Sequence, residues 1–202
     1  MNASDLTRAL TLVLEAFDRL GVRHFIGGSV ASSVHGIARA SLDVDLVAEL
    51  EPIHARPLVA ALEGAFYVDE RRVRRAIEQR RSFNLIHLAS MFKIDVFVSK
   101  GRPFDAASFS RVRRERLGPD PHDRGIPLAS AEDVLLAKLE WFRRGGESSE
   151  RQWDDVLGLL RVSAGAIDHE YLSHWAAVLG VTDLLERAVG QAADAVSGEP
   201  DS

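Results

Sequence analysis

The chain has 202 residues, no cysteine and a formal net charge of −5, with 46% hydrophobic and 27% charged residues. That length suits one domain or two small ones around a real core, and the composition is that of an ordinary globular protein. The lack of cysteine excludes a disulfide framework, a zinc-thiolate centre and a thiol nucleophile, and the acidic balance argues against indiscriminate polyanion binding.

The N-terminus, MNASDLTRALTLVLEAF, has no basic leading region and carries Asp5 and Glu15, so it does not read as a signal peptide. No apolar run approaches the roughly 18 residues of a membrane span, and the expectation is a cytoplasmic protein with no membrane partner. Leu6, Leu10, Val13, Leu14, Phe17 and Leu20 recur at helical spacing after Ser4, a candidate N-cap, and Gly21 stops the helix. RHFIGGS (23 to 29) follows as a short strand ending in two glycines, SVASSVHGI (29 to 37) reads as a short helix, and SLDVDLVAEL (41 to 50) as a strand. Residues 53 to 63 return to helical periodicity. SFNLIHLAS (82 to 90) and MFKIDVFVS (91 to 99) have strand composition, and the short gap between them predicts antiparallel neighbours. GIPLAS adds one more short strand. From Ser130 onward four helical segments follow, with Ser130, Ser149, Asp168 and Thr182 as candidate N-caps. The expected architecture is α/β (α+β): a small mixed or antiparallel sheet flanked by helices over residues 1–128, a C-terminal helical bundle over 129–196, and a disordered tail over 197–202.

Strand alternation puts Asp43 and Asp45 on one face and Leu42, Val44 and Leu46 on the other. A strand with one wet face accounts for such a pair, but aspartate is depleted from strands and two anions at i and i+2 repel, so a metal site is the alternative. Asp95 lies in FKIDVFV, where an unpaired carboxylate would be costly. If that strand neighbours the first, three carboxylates converge on one edge of the sheet, a donor set of hard oxygens suited to Mg²⁺. Gly27 and Gly28 end a strand where Ser29 opens a helix, which is either a structural turn or a phosphate cradle. On a helical wheel for 130 to 144 with Val134 at zero, Trp141 and Leu139 lie in the apolar arc, while Glu132, Asp133, Glu140, Arg143 and Arg144 form the polar face. Lys138 falls opposite the middle of that polar face. It must snorkel or find an anion, which a phosphate bound between sheet and helices would supply.

The chain holds 22 Arg against 3 Lys, with six arginines in RRVRRAIEQRR (71 to 81) and four in RVRRER (111 to 116). Both clusters suit either a solvated, salt-bridged surface or a run of phosphate contacts.

The order GGS, then DVD, then a lone aspartate in an apolar strand, then an inward lysine on a later helix resembles the DNA polymerase β-like nucleotidyltransferase superfamily over residues 23 to 160. Within it the chain is most similar to the small bacterial abortive-infection nucleotidyltransferase toxins. The resemblance implies transfer of NMP from an NTP, ATP among the candidates, to a hydroxyl acceptor. It implies phosphate contacts from Ser29 in the turn of Gly27 and Gly28, Mg²⁺ or Mn²⁺ held by Asp43, Asp45 and Asp95, and a triphosphate contact from Lys138. Asp95 would also help activate the acceptor hydroxyl. In this chemistry two metals about 3.5 to 4 Å apart clamp the attacking and leaving oxygens. Arg39 is either a further triphosphate contact or a surface arginine. The toxin-like proteins carry an RDxxD pattern on a following helix. Here Arg151 and Asp155 match while Gln152 stands at the first aspartate, where it completes an S-x-x-Q capping box with Ser149. Asp155 is then either a site residue or the i, i+4 partner of Arg151. The acceptor is open between tRNA, which the arginine clusters could follow, a protein and a small molecule; an aminoglycoside-like acceptor would call for an acidic pocket. The toxin likeness adds an antitoxin partner. The competing expectation is a catalytically inactive nucleotide-binding or partner-binding module of the same fold.

Overall fold

The computed structural model describes residues 3–28, 31, 43–116, 125–163 and 165–197, with the backbone alone for 3–6, 43 and 195–197. The expected helix over 29 to 37 therefore lies almost wholly outside the described residues. The elements are α1 (Ala3–Arg19), β1 (His24–Ile26), β2 (Asp43–Ala48), a 3₁₀ turn (Pro52–His54), α2 (Ala55–Leu62), β3 (Phe66–Tyr67), α3 (Glu70–Glu78), β4 (Ser82–His87), β5 (Lys93–Val98), α4 (Pro103–Ser110), β6 (Arg113–Glu115) and β7 (Ile126–Leu128). Then come α5 (Ala131–Arg144), α6 (Glu150–Ser163), α7 (His169–Leu179) and α8 (Thr182–Ser197). The described residues form two compact units, one of residues 3–28, 43–116 and 125–129 and one of residues 31, 130–163 and 165–197.

In the first unit, Leu10, Val13, Leu14 and Phe17 of α1 are buried at the i, i+3, i+4, i+7 spacing that aims one stripe at the core. Gly21 ends the helix at φ +67, where the Val22 N–H reaches back to the Phe17 carbonyl at 3.0 Å. The seven strands lie in the order β3-β4-β5-β2-β1-β7-β6. Pairs β2/β5 and β1/β7 are parallel, and β1/β2, β3/β4, β4/β5 and β6/β7 antiparallel. The alternation of Phe83 and Leu85 on β4, Ile94, Val96 and Val98 on β5, and Val44, Leu46 and Ala48 on β2 buries one face of the sheet. Helices α1 with α2, and α2 with α3, pack against each other, and Val73, Ala76 and Ile77 form the buried stripe of α3. The other face carries half-exposed side chains on β5 and β2, and there the candidate site is built. Four elements had no counterpart in the sequence reading: β3, α3, the short strand β6, and α4, whose N-terminus is shaped by Pro103 and an Asp105 side chain accepting from the Arg102 N–H at 3.1 Å.

His24 projects from β1 into the core with its side chain 3% exposed. Its Nδ1–H donates to the Val22 carbonyl at 2.9 Å, while Nε2 lies 3.9 Å from an Asp18 oxygen, too far for a hydrogen bond. Burial outweighs the backbone hydrogen bond and the nearby Asp18 charge, so the pKa falls below its ordinary 6.5. A histidine held neutral in the fold contributes stability above its unfolded pKa, and that contribution is lost as pH falls below about 6.5 because the unfolded chain takes up the proton first. Urea titrations between pH 7.5 and 5 should therefore show stability declining toward acid. His24→Leu should flatten that slope, and an unchanged slope in the variant would refute this assignment.

In the second unit, Phe142 and Trp153 meet at 5.1 Å, Arg187 lies over the Trp153 ring at 3.8 Å, and Trp153 Nε1–H donates to Gln191 Oε1 at 2.8 Å. The N-caps at Ser130 and Asp168 form, accepting from the Asp133 and Tyr171 N–H groups. Ser149 Oγ accepts from the Gln152 N–H at 3.3 Å. Thr182 is already the first helical residue of α8. Ser197 is the last residue of that helix, and 198–202 lie outside the described residues.

The wheel for α5 misplaces three residues. Glu132 and Asp133, assigned to the polar face, are 5% and 3% exposed, whereas Trp141, assigned to the apolar arc, is 51% exposed. Both acids are buried because they are satisfied there: Glu132 accepts from the Asp168 N–H at 3.0 Å, and Asp133 accepts from the Tyr171 hydroxyl and the Ser130 hydroxyl, each at 2.7 Å. A buried carboxylate with complete hydrogen bonding joins the start of α5 to the start of α7, which hydropathy on a single helix does not encode.

Candidate active site

The sheet brings Asp45 and Asp95 together. Each is the third residue of its strand, and β2 and β5 run parallel in a register that pairs Asp45 with Asp95 and Asp43 with Lys93. Neighbouring strands lie about 4.8 Å apart, so the two aspartates stand level on the same face. This is the middle of the sheet, the third and fourth of seven strands. It is not the edge expected from the sequence, because β4 and β3 extend the sheet beyond β5. Asp43 belongs to the same face by alternation, and its side chain lies outside the described residues. So do Ser29 and Arg39 altogether.

Behind Asp45 is the glycine turn. The Gly27 N–H donates to the Asp45 carbonyl at 2.9 Å, which continues the β1/β2 ladder into the turn. Gly28 has φ +55, and a Cβ added there would fall into the Asp45 carboxylate, 2.6 Å from its Cγ. Glycine is required twice over, by the left-handed backbone and by the close approach of the acid. The turn and the carboxylate are thus one packed unit.

In front of Asp95 are two residues that sequence reasoning missed. Lys93 Nζ lies 3.0 Å from Asp95 Oδ2, and Asn84 Nδ2–H donates to Asp95 Oδ1. Both follow from strand geometry: Lys93 is i−2 to Asp95 and shares its face, and Asn84 is its register partner on β4. The i−2 relation was legible in FKIDVFV; the Asn84 pairing needed the β4/β5 register.

Lys138 and Asp155 belong to the helical unit and pair with each other. Nζ lies 3.1 Å from Oδ2, with the side chains 16% and 14% exposed. The anion on the inward lysine is thus a carboxylate of α6, where the sequence reading looked to phosphate, and the cation on Asp155 is Lys138, where it looked to Arg151. The reading treated each helix alone, so a partner 17 residues away was invisible. Removing one member strands the other in a poorly hydrated place. Lys138→Met is expected to cost about 2–3 kcal/mol in urea unfolding, somewhat under the penalty for a fully buried pair. Lys138→Met with Asp155→Leu should recover at least half of it. An additive double variant would exclude the coupling.

A divalent cation is the group the donor set suits. The oxygens of the two level carboxylates are hard donors of the kind Mg²⁺ and Mn²⁺ take. Among the described residues no group of three metal-ligating side chains is assembled; the described donors are Asp45 and Asp95.

No protein-family model matches the chain, and no curated protein matches it either. Its fold does match solved structures. The solution structure of the antibiotic-resistance factor ANT(2″)-Ia aligns over 93% of this chain and 97% of that one at 15% identity, TM-score 0.54. Crystalline ANT(2″)-Ia in complex with adenylyl-2″-tobramycin aligns over 87% and 97% at 13% identity, TM-score 0.53. An antigenic nucleotidyltransferase-like protein from Paracoccidioides brasiliensis aligns over 94% of each chain at 16% identity, TM-score 0.54. The chain has the nucleotidyltransferase fold. Among the described residues no helix is long and apolar enough to cross a membrane.

Proposed function

We propose that this protein is a nucleotidyltransferase that moves NMP from an NTP to an acceptor hydroxyl, with Mg²⁺, or Mn²⁺ in its place, held by Asp43, Asp45 and Asp95. The observation that carries the reading is the level pair Asp45 and Asp95 in the middle of the sheet, with Gly28 closed onto Asp45. The bound cation would neutralise charge on the phosphates. The chain's own residues do the positioning. The turn of Gly27, Gly28 and Ser29 takes the phosphates. The acceptor oxygen bonds to the α-phosphorus, the bond from that phosphorus to the bridging oxygen breaks, and pyrophosphate leaves with the electron pair. Asp95 takes the acceptor's proton, and Lys93 and Asn84 hold its carboxylate in place. ANT(2″)-Ia, bound to adenylyl-2″-tobramycin, lends its fold to this reading. The acceptor classes are tRNA, a protein or a small molecule. A toxin role with an antitoxin partner rests on the resemblance to the abortive-infection proteins alone. Purified protein incubated with Mg²⁺ or Mn²⁺ and each α-labelled NTP in lysate should label an acceptor and release pyrophosphate. No labelling with any NTP would refute the reading.

A second reading is a silent nucleotide-binding or partner-binding module. It is favoured by the engagement of both Asp95 oxygens by Lys93 and Asn84, and by Gln152 in place of an aspartate. It predicts NTP binding in calorimetry with no pyrophosphate release. Asp155 would then serve only the Lys138 pair.

A further inference from the structure

A groove of about 500 Å³ opens beside Asp95, on the side away from the glycine turn. It lies where the chain leaves β3 after only two residues paired with β4, so that α3 and the outer side of β4 form its walls. Asn84 and Lys93 line it and also hold the two Asp95 oxygens, so the groove and the candidate catalytic carboxylate share side chains. Its remaining charge is lopsided. Arg72, Arg75 and Arg81 line it, and the one carboxylate among its lining residues, Asp69, is occupied as the N-cap of α3, accepting from the Arg72 N–H at 2.8 Å. No carboxylate among the described residues forms an ion pair with any of these three guanidinium groups, whereas Arg74 on the other side of the same helix pairs with Glu70.

From this we infer that the groove is the acceptor site of the proposed transfer, and that the acceptor bears phosphate. The inference rests on the nucleotidyltransferase reading for its chemistry and on the groove alone for its charge. A polycation such as an aminoglycoside finds three guanidinium groups there against one occupied carboxylate, and like charges at that range repel. A phosphate finds guanidinium forks whose geometry matches its oxygens, with Arg72 and Arg75 one turn apart on α3 and Arg81 just before β4. Asp95 then separates two anionic substrates: the NTP on the side of Gly28 and Asp45, and the acceptor on the side of Asn84. Its place between them suits it to take the hydroxyl proton as the new oxygen–phosphorus bond forms and pyrophosphate departs. The phosphate comes either from a nucleic-acid backbone or from a small phosphorylated metabolite.

The test compares binding of a fluorescein-labelled single-stranded RNA, by anisotropy across a salt series, with competition by ribose 5-phosphate and by tobramycin. Arg72→Gln with Arg75→Gln should weaken RNA binding by about 10-fold or more and reduce the log–log salt slope by about 1.4. Arg71→Gln with Arg74→Gln removes the same charge from the same helix outside the groove and should change binding by less than about 2-fold, the difference being phosphate contact against bulk charge. Competition by ribose 5-phosphate that depends on the same two arginines identifies the monoester as the source, and RNA binding without it identifies the backbone. Circular dichroism melts establish that both double variants are folded. Equal binding to the two double variants, absence of binding by both phosphate probes, or displacement of neither by salt would overturn the inference, as would tobramycin binding that survives in the groove variant. Groove-dependent RNA binding in a protein that releases no pyrophosphate would keep the phosphate site and sink the nucleotidyltransferase reading. Nucleotidyl transfer to a cationic acceptor that ignores Arg72 and Arg75 would do the reverse.

Discussion

Asp45→Asn and Asp95→Asn are each expected to lower nucleotidyl transfer by about 10³-fold, the scale on which loss of one well-placed electrostatic group reduces turnover. Asp45→Asn should leave the melting temperature of the metal-free protein unchanged or raise it, and Asp95→Asn, which gives up the ion pair to Lys93, should lower it slightly. The two carboxylates are level on adjacent strands, and removing the Asp45 charge relieves their mutual repulsion while leaving the Asp95–Lys93 pair in place. Asparagine keeps the shape of Asp45 against Gly28, so packing does not confound the result. Activity falling while stability holds or rises is the signature of a site maintained against the interests of the fold. Pyrophosphate release and a thermal melt on one preparation read both. A variant that is destabilised and only mildly less active would instead make these residues part of the framework.

Gly28→Ala carries the second large effect. The new methyl group would fall into the Asp45 carboxylate and force it to another rotamer, while alanine at φ +55 costs about 1–2 kcal/mol in backbone strain. A catalytic group displaced by about an ångström can lose about 10²-fold in rate, so activity should fall by that order while the protein stays folded. Gly27→Ala is the control for stability: its Cβ would meet nothing closer than the Phe25 ring at 4.0 Å, and its melt should match the unsubstituted protein. Undiminished activity in Gly28→Ala would leave the contact between turn and carboxylate no role in catalysis.

These expectations rest on features that were legible to different degrees. The apolar alternation of DVDLVA and KIDVFV predicted two strands, because a period of two in hydropathy is a local property of the chain. That β4 and β5 are antiparallel neighbours also followed from the short connection between them. The parallel pairing of β2 with β5 did not, since residues 49 to 92 lie between the segments, and their adjacency is set by how the whole sheet is ordered. Lys138 was legible as an inward lysine but its partner was not, since a wheel shows which face a residue takes and not what stands opposite. Glu132 and Asp133 failed for the same reason: their burial is decided by the start of α7 and the Tyr171 hydroxyl, which lie 36 and 38 residues away.

The sequence by itself determined the carboxylates of the candidate site, the glycines that its backbone needs, and most of the strands and helices in chain order, because each of these follows from side-chain chemistry and short-range periodicity. Only the tertiary structure decided that Asp45 and Asp95 stand level in mid-sheet, that Lys93 and Asn84 clasp the second of them, and that three arginines of a charged helix and the connection after it line one groove. Register and burial arise from pairings between distant segments, and their free energies belong to the assembled sheet and helices and to no single stretch of chain.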